Sequence, residues 1–239
     1  MASAPSSVHP VRRSPLLVAG VVAAIALALV AVALLLVSRD DAEPARVLQG
    51  SGVAVTDTRD VDAFGAVELE GVNNVTIGVG GDQLVVVRAD DNLIERVTTE
   101  VRGDTLVIGE IGSFDAVTPM SVEVTVPSLD EVRLSGTGTI TVDGHALTDL
   151  TIAMPGAGTV RGRGSVTALE IDLGGTGDAE FGALVAKDAT VVLSGSGSVA
   201  VHVTSTLDAK VSGAGSVTYV GDPQRVDKEV TGTGTVTGR

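Results

Sequence analysis

The chain has 239 residues, room for one domain of ordinary size beside a membrane segment. It contains no cysteine, which excludes disulfides, zinc–thiolate sites, a thiol nucleophile and anchoring through a lipidated N-terminal cysteine. Its net charge of −14 is unevenly placed: no Asp or Glu precedes Asp40, and from there 30 acids face 13 bases, a surface that repels nucleic acid and anionic headgroups.

Residues 1–15 are polar and proline-containing, with a basic pair at Arg12 and Arg13, and read as a short cytoplasmic tail. Residues 16–37, LLVAGVVAAIALALVAVALLLV, run without a charge. As a helix rising ~1.5 Å per residue, that stretch crosses a hydrocarbon core of ~30 Å. A cleaved secretory signal has a shorter apolar region, about 7–15 residues, ending in small side chains. This one ends in Leu-Leu-Leu-Val before Ser38-Arg39-Asp40-Asp41, and reads as an uncleaved transmembrane α-helix. The positive-inside rule places Arg12 and Arg13 in the cytoplasm and the bulk of the chain outside. Residues 38–50 form a polar linker, and residues 51–239 the extracytoplasmic domain.

From Val53 to Val132 short alternating runs mark half-buried strands: residues 67–70, 75–79, 84–87, 106–108 and 122–126. Turn residues separate them at Gly80-Gly81-Asp82, Asp90-Asp91-Asn92, Arg102-Gly103-Asp104 and Pro127-Ser128. Asn92 to Arg96 can hold one helical turn. The domain is all-β.

Between Leu134 and Val236 a heptad recurs six times: GTGTITV from Gly136, GAGTVRG from Gly156, GTGDAEF from Gly175, GSGSVAV from Gly195, GAGSVTY from Gly213 and GTGTVTG from Gly232. The first glycines lie 20, 19, 20, 18 and 19 residues apart. Such a period reads as a solenoid with ~19–20-residue coils, each coil one repeat. Two strand positions fall in each coil. One leads into the glycines (Leu150, Ile152, Met154; Leu169, Ile171, Leu173), and the other follows them (Ile140, Val142; Val199, Val201). The Gly-x-Gly is expected to take positive φ in a sharp turn. On that ground Gly195→Val or Gly213→Val costs ~1–3 kcal/mol. The middle residue is always Thr, Ser or Ala, small enough for coils to stack at ~4.8 Å.

These [Leu/Val]-Ser-Gly-[Ser/Thr/Ala]-Gly-x-[Val/Ile] repeats, with the entry region from Phe64 (FGAVELEGVNNVTIGVGGDQLVVVRADDNLIERVTTEVRGDTLVIG), resemble the head GIN domain of auto-transporter adhesins over residues 51–239. The resemblance implies a right-handed parallel β-helix with tight turns at the glycines, no recognised catalytic set, and a role in adhesion. Delivery departs from the family analogy, since a single N-terminal membrane helix takes the place of a translocator barrel.

Sites of chemistry are sparse. His9, His145 and His202 share no metal-ligand spacing and read as solvated. The glycine loops are each followed by a strand, whereas phosphate loops open a helix. Gly195-Ser196-Gly197-Ser198 is repeat text rather than a nucleophile elbow. Glu170, Asp172, Asp178 and Glu180 could make an acidic ridge on one coil that binds a divalent ion weakly through oxygen. A polysaccharide-active groove would need acids with a paired base such as Arg161 and Arg163, and aromatic platforms. The aromatic supply is Phe64, Phe114, Phe181 and Tyr219, with Phe181 and Tyr219 at one repeat position on a flank of the stack.

The sequence therefore points to a non-catalytic, single-pass, membrane-anchored β-solenoid outside the cell, with no catalytic, metal or cofactor site assigned. It acts as a surface or envelope interaction module whose partner is a glycan, an envelope protein or a second copy, and not nucleic acid. The competing expectations are a ligand-sensing ectodomain working with a membrane partner, and a polysaccharide-binding or polysaccharide-active β-helix. The last coil is expected to pair with another copy or to be covered by the N-terminal strands.

Overall fold

The computed structural model describes residues 47–239 as one unit of the chain. The tail at 1–15, the apolar run at 16–37 and the linker up to residue 46 lie outside the described residues. Among the described residues no helix is long and apolar enough to cross a membrane.

The first part of the unit holds short strands: β1 (Leu48–Gln49), β2 (Ala54–Arg59), β3 (Ala66–Leu69), β4 (Asn74–Val79), β5 (Leu84–Asp90), β6 (Val97–Arg102), β7 (Thr105–Glu110), β8 (Phe114–Asp115), β9 (Ser121–Val126) and β10 (Glu131–Leu134). Long strands follow: β11 (Thr139–Met154), β12 (Thr159–Leu173), β13 (Asp178–Leu193) and β14 (Ser198–Val211). The end is built from β15 (Ser216–Val220), β16 (Arg225–Val230) and β17 (Thr235–Gly238). The helical turn expected at Asn92–Arg96 is a 3-10 turn at Ile94–Arg96.

A β-solenoid results. On the face before each glycine turn the strands run β7, β3, β10, then the second halves of β11, β12, β13 and β14, then β16. On the face after it they run β9, β4, the first halves of β11 to β14, β15 and β17, all in parallel. The two strands expected per repeat are thus one strand of 14–16 residues that bends across both faces. The bend falls on small residues, where the register shifts: Gly144 to Leu147, Arg161 to Arg163 across Gly162, and Phe181 to Val185 across Gly182 and Ala183. A β-bulge lets the ladder turn a corner without ending.

Inward side chains stack in columns. One runs Val67, Val132, Ile152, Ile171, Val191, Ala209; the next runs Leu69, Leu134, Met154, Leu173, Leu193, Val211; all are buried. Each buried Val or Leu contributes ~1.5–3 kcal/mol relative to exposure, so the interior needs no large aromatic residue. Phe181 and Tyr219 do share a register column through Val201, but that column is interior. Phe181 is 0% exposed and fills the hollow over Gly162, while Tyr219 is half-buried one rung from the end.

The irregular first part is the base of the same stack. Strands β3 and β4 form its opening rung, and the β7–β9 rung lies beneath them although it comes later in sequence. Antiparallel strands close this end, with β6 on β7, β5 on β9 and β2 on β5. The N-terminal strands therefore cover the base, not the last coil, which corrects half of the expectation for that coil. At the far end β16 and β17 each pair on one edge only among the described residues.

Candidate functional site

The feature most specific to this sequence is the ladder of glycine turns along one edge of the solenoid. Each turn rests on the turn below through backbone bonds. The first glycine N–H donates to the apolar residue of the rung below, as Gly175 does to Met154 at 3.0 Å. The middle residue donates to the lower first glycine, as Ser196 to Gly175 at 3.1 Å. The residue after the second glycine donates to the lower second glycine, as Ser198 to Gly177 at 3.2 Å. With its backbone satisfied from below, the turn needs no side-chain support.

The reason for glycine differs from the expected one. None of the repeat glycines has positive φ; among the described residues that conformation belongs to Gly52, Gly80, Gly103, Gly112, Gly164 and Gly221, and to Ala146. What demands glycine is close approach. A Cβ on Gly195 would sit on the Gly175 carbonyl oxygen, and one on Gly197 on that of Gly177 with Leu173 Cδ2 at 2.9 Å. The same holds for Gly156 against Gly136 and Gly213 against Gly195. The lowest turn, Glu70-Gly71-Val72-Asn73, lacks the motif yet stacks beneath Ser135–Gly138 in the same way, with Gly136 N–H donating to Leu69 O at 3.0 Å.

The outward product of this ladder is two columns of short, mostly hydroxyl-bearing side chains. The middle residues Thr137, Ala157, Thr176, Ser196, Ala214 and Thr233 are exposed in every turn. Beside them stand Thr139, Thr159, Asp178, Ser198, Ser216 and Thr235, in register through β11 to β17. A shallow polar groove follows the upper part from Thr176 to Thr235, and within it the Ser198 hydroxyl donates to Asp178. Hydroxyls repeating at the strand spacing of ~4.8 Å present donors and acceptors to an extended, neutral, polar ligand.

The acidic ridge does not form. Glu170 and Asp172 lie on the face before the turn, Asp178 and Glu180 on the face after it. Glu180 is held by Arg161, whose Nε donates at 2.7 Å, and Asp178 accepts from Ser198. Among the described residues no three His, Asp or Glu side chains gather closely enough to hold a metal ion. Arg163 pairs with Asp143 at 2.9 Å, so the two arginines proposed as a base pair serve different acids. His145 is solvent-exposed beside Asp143, His202 is half-buried on β14, and the two are not brought together; His9 lies outside the described residues.

Sequence reasoning missed the base of the ladder. There the ten-residue loop Ile111–Met120 replaces a short turn, and with Val72, Asn73 and Asn74 it encloses a groove of about 510 Å³. Two carboxylates hold its walls. Glu110 accepts the Val72 N–H at 3.1 Å and Asn73 Nδ2 at 2.6 Å. Asp90, fully buried, accepts the N–H groups of Val117 at 2.8 Å, Gly52 at 3.0 Å and Thr118 at 3.3 Å, tying two loops to one carboxyl. Burial alone would raise its pKa, but the hydrogen bonds from Val117, Thr118 and Gly52 outweigh it and hold the pKa below its ordinary 3.8. The signal in sequence was slight: Asp90 ends a run that otherwise reads as a plain strand followed by a turn.

Residues 63–223 match the family model described as "Putative auto-transporter adhesin, head GIN domain". Among solved structures the chain is similar to a "putative adhesin" from Bacteroides fragilis, with TM-score 0.60, 23% identity, and coverage of 80% of this chain and 100% of that one. It is also similar to a "Putative lipid binding protein" from Parabacteroides distasonis, with TM-score 0.53, 21% identity, and coverage of 81% and 100%. At these identities the likeness is one of fold. No curated protein matches the chain.

Proposed function

Because the chain belongs to the head GIN domain family of auto-transporter adhesins, we propose that it is a non-catalytic recognition module, displayed outside the cell on a membrane anchor and contacting its partner along the glycine-turn ladder. The observation that carries this reading is the double column of short side chains, with at least one Ser or Thr hydroxyl on every turn, held on a backbone ladder. A surface so flat, polar and repetitive suits an extended neutral ligand such as a surface glycan, and offers no enclosed space for a small substrate. The uncharged run at 16–37 and the arginine pair ahead of it support a single-pass anchor with the N-terminus in the cytoplasm. Right-handed winding is favoured because parallel crossovers between strands of one sheet take that hand.

The test is a binding screen of the full chain in detergent micelles against glycan arrays, cell-wall fragments and envelope proteins, with and without calcium. The ladder reading expects a hit that is lost in Ser196→Arg and Thr233→Arg, which plant long cations on the exposed column, and kept in Lys187→Glu on an outer strand. A hit indifferent to both ladder substitutions moves the contact elsewhere, and no hit removes the support for direct recognition.

A further inference from the structure

Of the nine large apolar side chains left in solvent among the described residues, Leu84, Val185 and Val230 stand apart and six share one region. Val47, Leu48, Val53, Val72, Ile111 and Val117 are all exposed, Val72 and Val117 at 63% each. They gather at the base. Leu48 pairs in register with Phe114 through β1 and β8. Gly52, next to Val53, lies against the Val117 side chain, and Val72 faces Phe114, Val117 and Met120 across the groove. An apolar cluster of this kind, rimmed by polar groups, marks a contact surface.

We propose that this base is a lipid-facing surface, resting on the outer leaflet of the membrane in which the chain is anchored; the inference builds on the anchored reading above. Three observations select a bilayer as the occupant. The first is reach. The uncharged run ends at Val37 and the described unit begins at Val47. Even fully extended, the intervening residues span only about 35 Å. The second is location: the strand that receives this linker, β1, is itself part of the apolar cluster, so the chain enters the domain through the patch. The third is charge. In a chain of net charge −14, the groove is lined by a single ionised side chain, Asp115, whose carboxylate accepts a hydrogen bond from Gln49 Nε2 at 2.7 Å. Arg96 lies at the rim, beside Gly112 and the Ile111 carbonyl. The other two carboxylates of the walls, Glu110 and Asp90, are bound by N–H groups of Val72, Asn73 and Val117, so little free negative charge faces the headgroups here. Apolar side chains on a polar frame seat at the boundary between headgroups and acyl chains without spanning. The turn ladder then rises from the membrane with its far rung outermost.

The absence of native cysteine makes the test direct. Single Val72→Cys, Val117→Cys and, at the far end, Val230→Cys variants of the full chain are spin-labelled and reconstituted into phosphatidylcholine vesicles. Collision with oxygen, which partitions into lipid, is compared with collision with a water-soluble nickel chelate. All three side chains are exposed, so labelling leaves the core intact, and circular dichroism checks it. The expected result is a several-fold higher ratio of oxygen to nickel accessibility at positions 72 and 117 than at 230. Equal ratios at all three sites in chains that remain with the vesicles through an alkaline wash overturn the lipid-facing base alone. Positions 72 and 117 shielded from both reagents also overturn it, in favour of a protein covering, a second copy included. Chains released by the wash overturn the anchor and the inference with it.

Discussion

Two adjacent glycines of one turn make opposite predictions. A Cβ added to Gly174 meets only Ser194 Oγ, at 3.7 Å, and its column in the other turns holds Ser135, Pro155, Ser194, Ser212 and Thr231. A Cβ added to Gly175 lands on the Gly156 carbonyl oxygen and comes within 2.7 Å of the Pro155 oxygen. Both obstacles are backbone, so neither can rotate away. Restoring an ordinary contact of 3.4 Å to Pro155 O alone requires the rungs to part locally by about 0.7 Å, and the nearer Gly156 O demands more than that. The bonds from Gly175 N–H to Met154 O, now 3.0 Å, and from Thr176 N–H to Gly156 O, now 3.2 Å, then stretch beyond useful range. Two ladder donors left unpaired at up to ~1–3 kcal/mol each give a loss of about 2–6 kcal/mol for Gly175→Ala. In a domain of this size, at about 2–4 °C per kcal/mol, that lowers Tm by roughly 4–24 °C. Gly174→Ala should stay within about 0.5 kcal/mol, since its φ is one that alanine adopts and the unfolded chain loses entropy. Thermal unfolding of both variants, followed by far-UV circular dichroism, checks this. Equal losses, or a Gly175→Ala variant melting with the parent, would refute close approach as the reason for glycine in the ladder.

Further expectations follow from the same structure. The lowered pKa of Asp90 means that its contribution to stability is complete above the ordinary carboxyl value of 3.8 and is lost as pH falls through the lower folded value; Asp90→Asn should therefore destabilise the neutral-pH protein and flatten the acid limb of its stability profile, measured by urea unfolding across pH. Phe181→Ala empties the hollow over Gly162 and should cost ~3–5 kcal/mol in chemical denaturation, with Phe181→Leu costing less. Glu180→Gln removes an exposed ion pair with Arg161 and should change stability by less than about 1 kcal/mol, a difference that vanishes in high salt. At the open end Lys228 takes an inward register position, opposite Ala209, and its Nζ stands 4.8 Å from the centre of the Tyr219 ring. An inward charge of this kind guards an unpaired edge, so Lys228→Met should promote end-to-end association, visible as a faster-sedimenting species that the parent lacks.

Legibility in the sequence tracked repetition. The heptads, their spacing and the inward columns could be read because the same small and apolar residues recur at the same offsets, and Ile171 or Leu193 sits where a period of two places it. The continuity of each strand could not. Gly144, Gly162 and Gly182 look like breaks, yet a parallel neighbour above and below carries the ladder round the corner. The base was opaque for a different reason: the rung order β7, β3, β10 inverts sequence order, and no local pattern encodes which of two similar strands lies beneath the other. Gly71 is equivalent to the repeat glycines only once stacked. The acidic ridge failed because residues on either side of a glycine turn point to different faces, so that proximity in sequence between Asp172 and Asp178 becomes separation in space. The groove walls depend on Asp90 and Glu110 reaching 27 and 37 residues along the chain, contacts without any periodic signal.

The ladder also makes length a modular property. Every interface between long rungs uses the same backbone bonds and the same inward columns, so an in-frame excision of residues 175–194 would set the Gly195 turn onto that of Gly156 and lay Leu207, Ala209 and Val211 over Leu169, Ile171 and Leu173. The shortened molecule would keep its base, its outer edge and its far end, and would differ chiefly in height, by ~4.8 Å. Duplication of the same block would add as much. Gly162 and Phe181 form the matched pair that resists such editing, because the ring above fills a hollow that Val201 would leave empty. Reach is thus set by counting rungs, with the unit of change written into the spacing of the glycines.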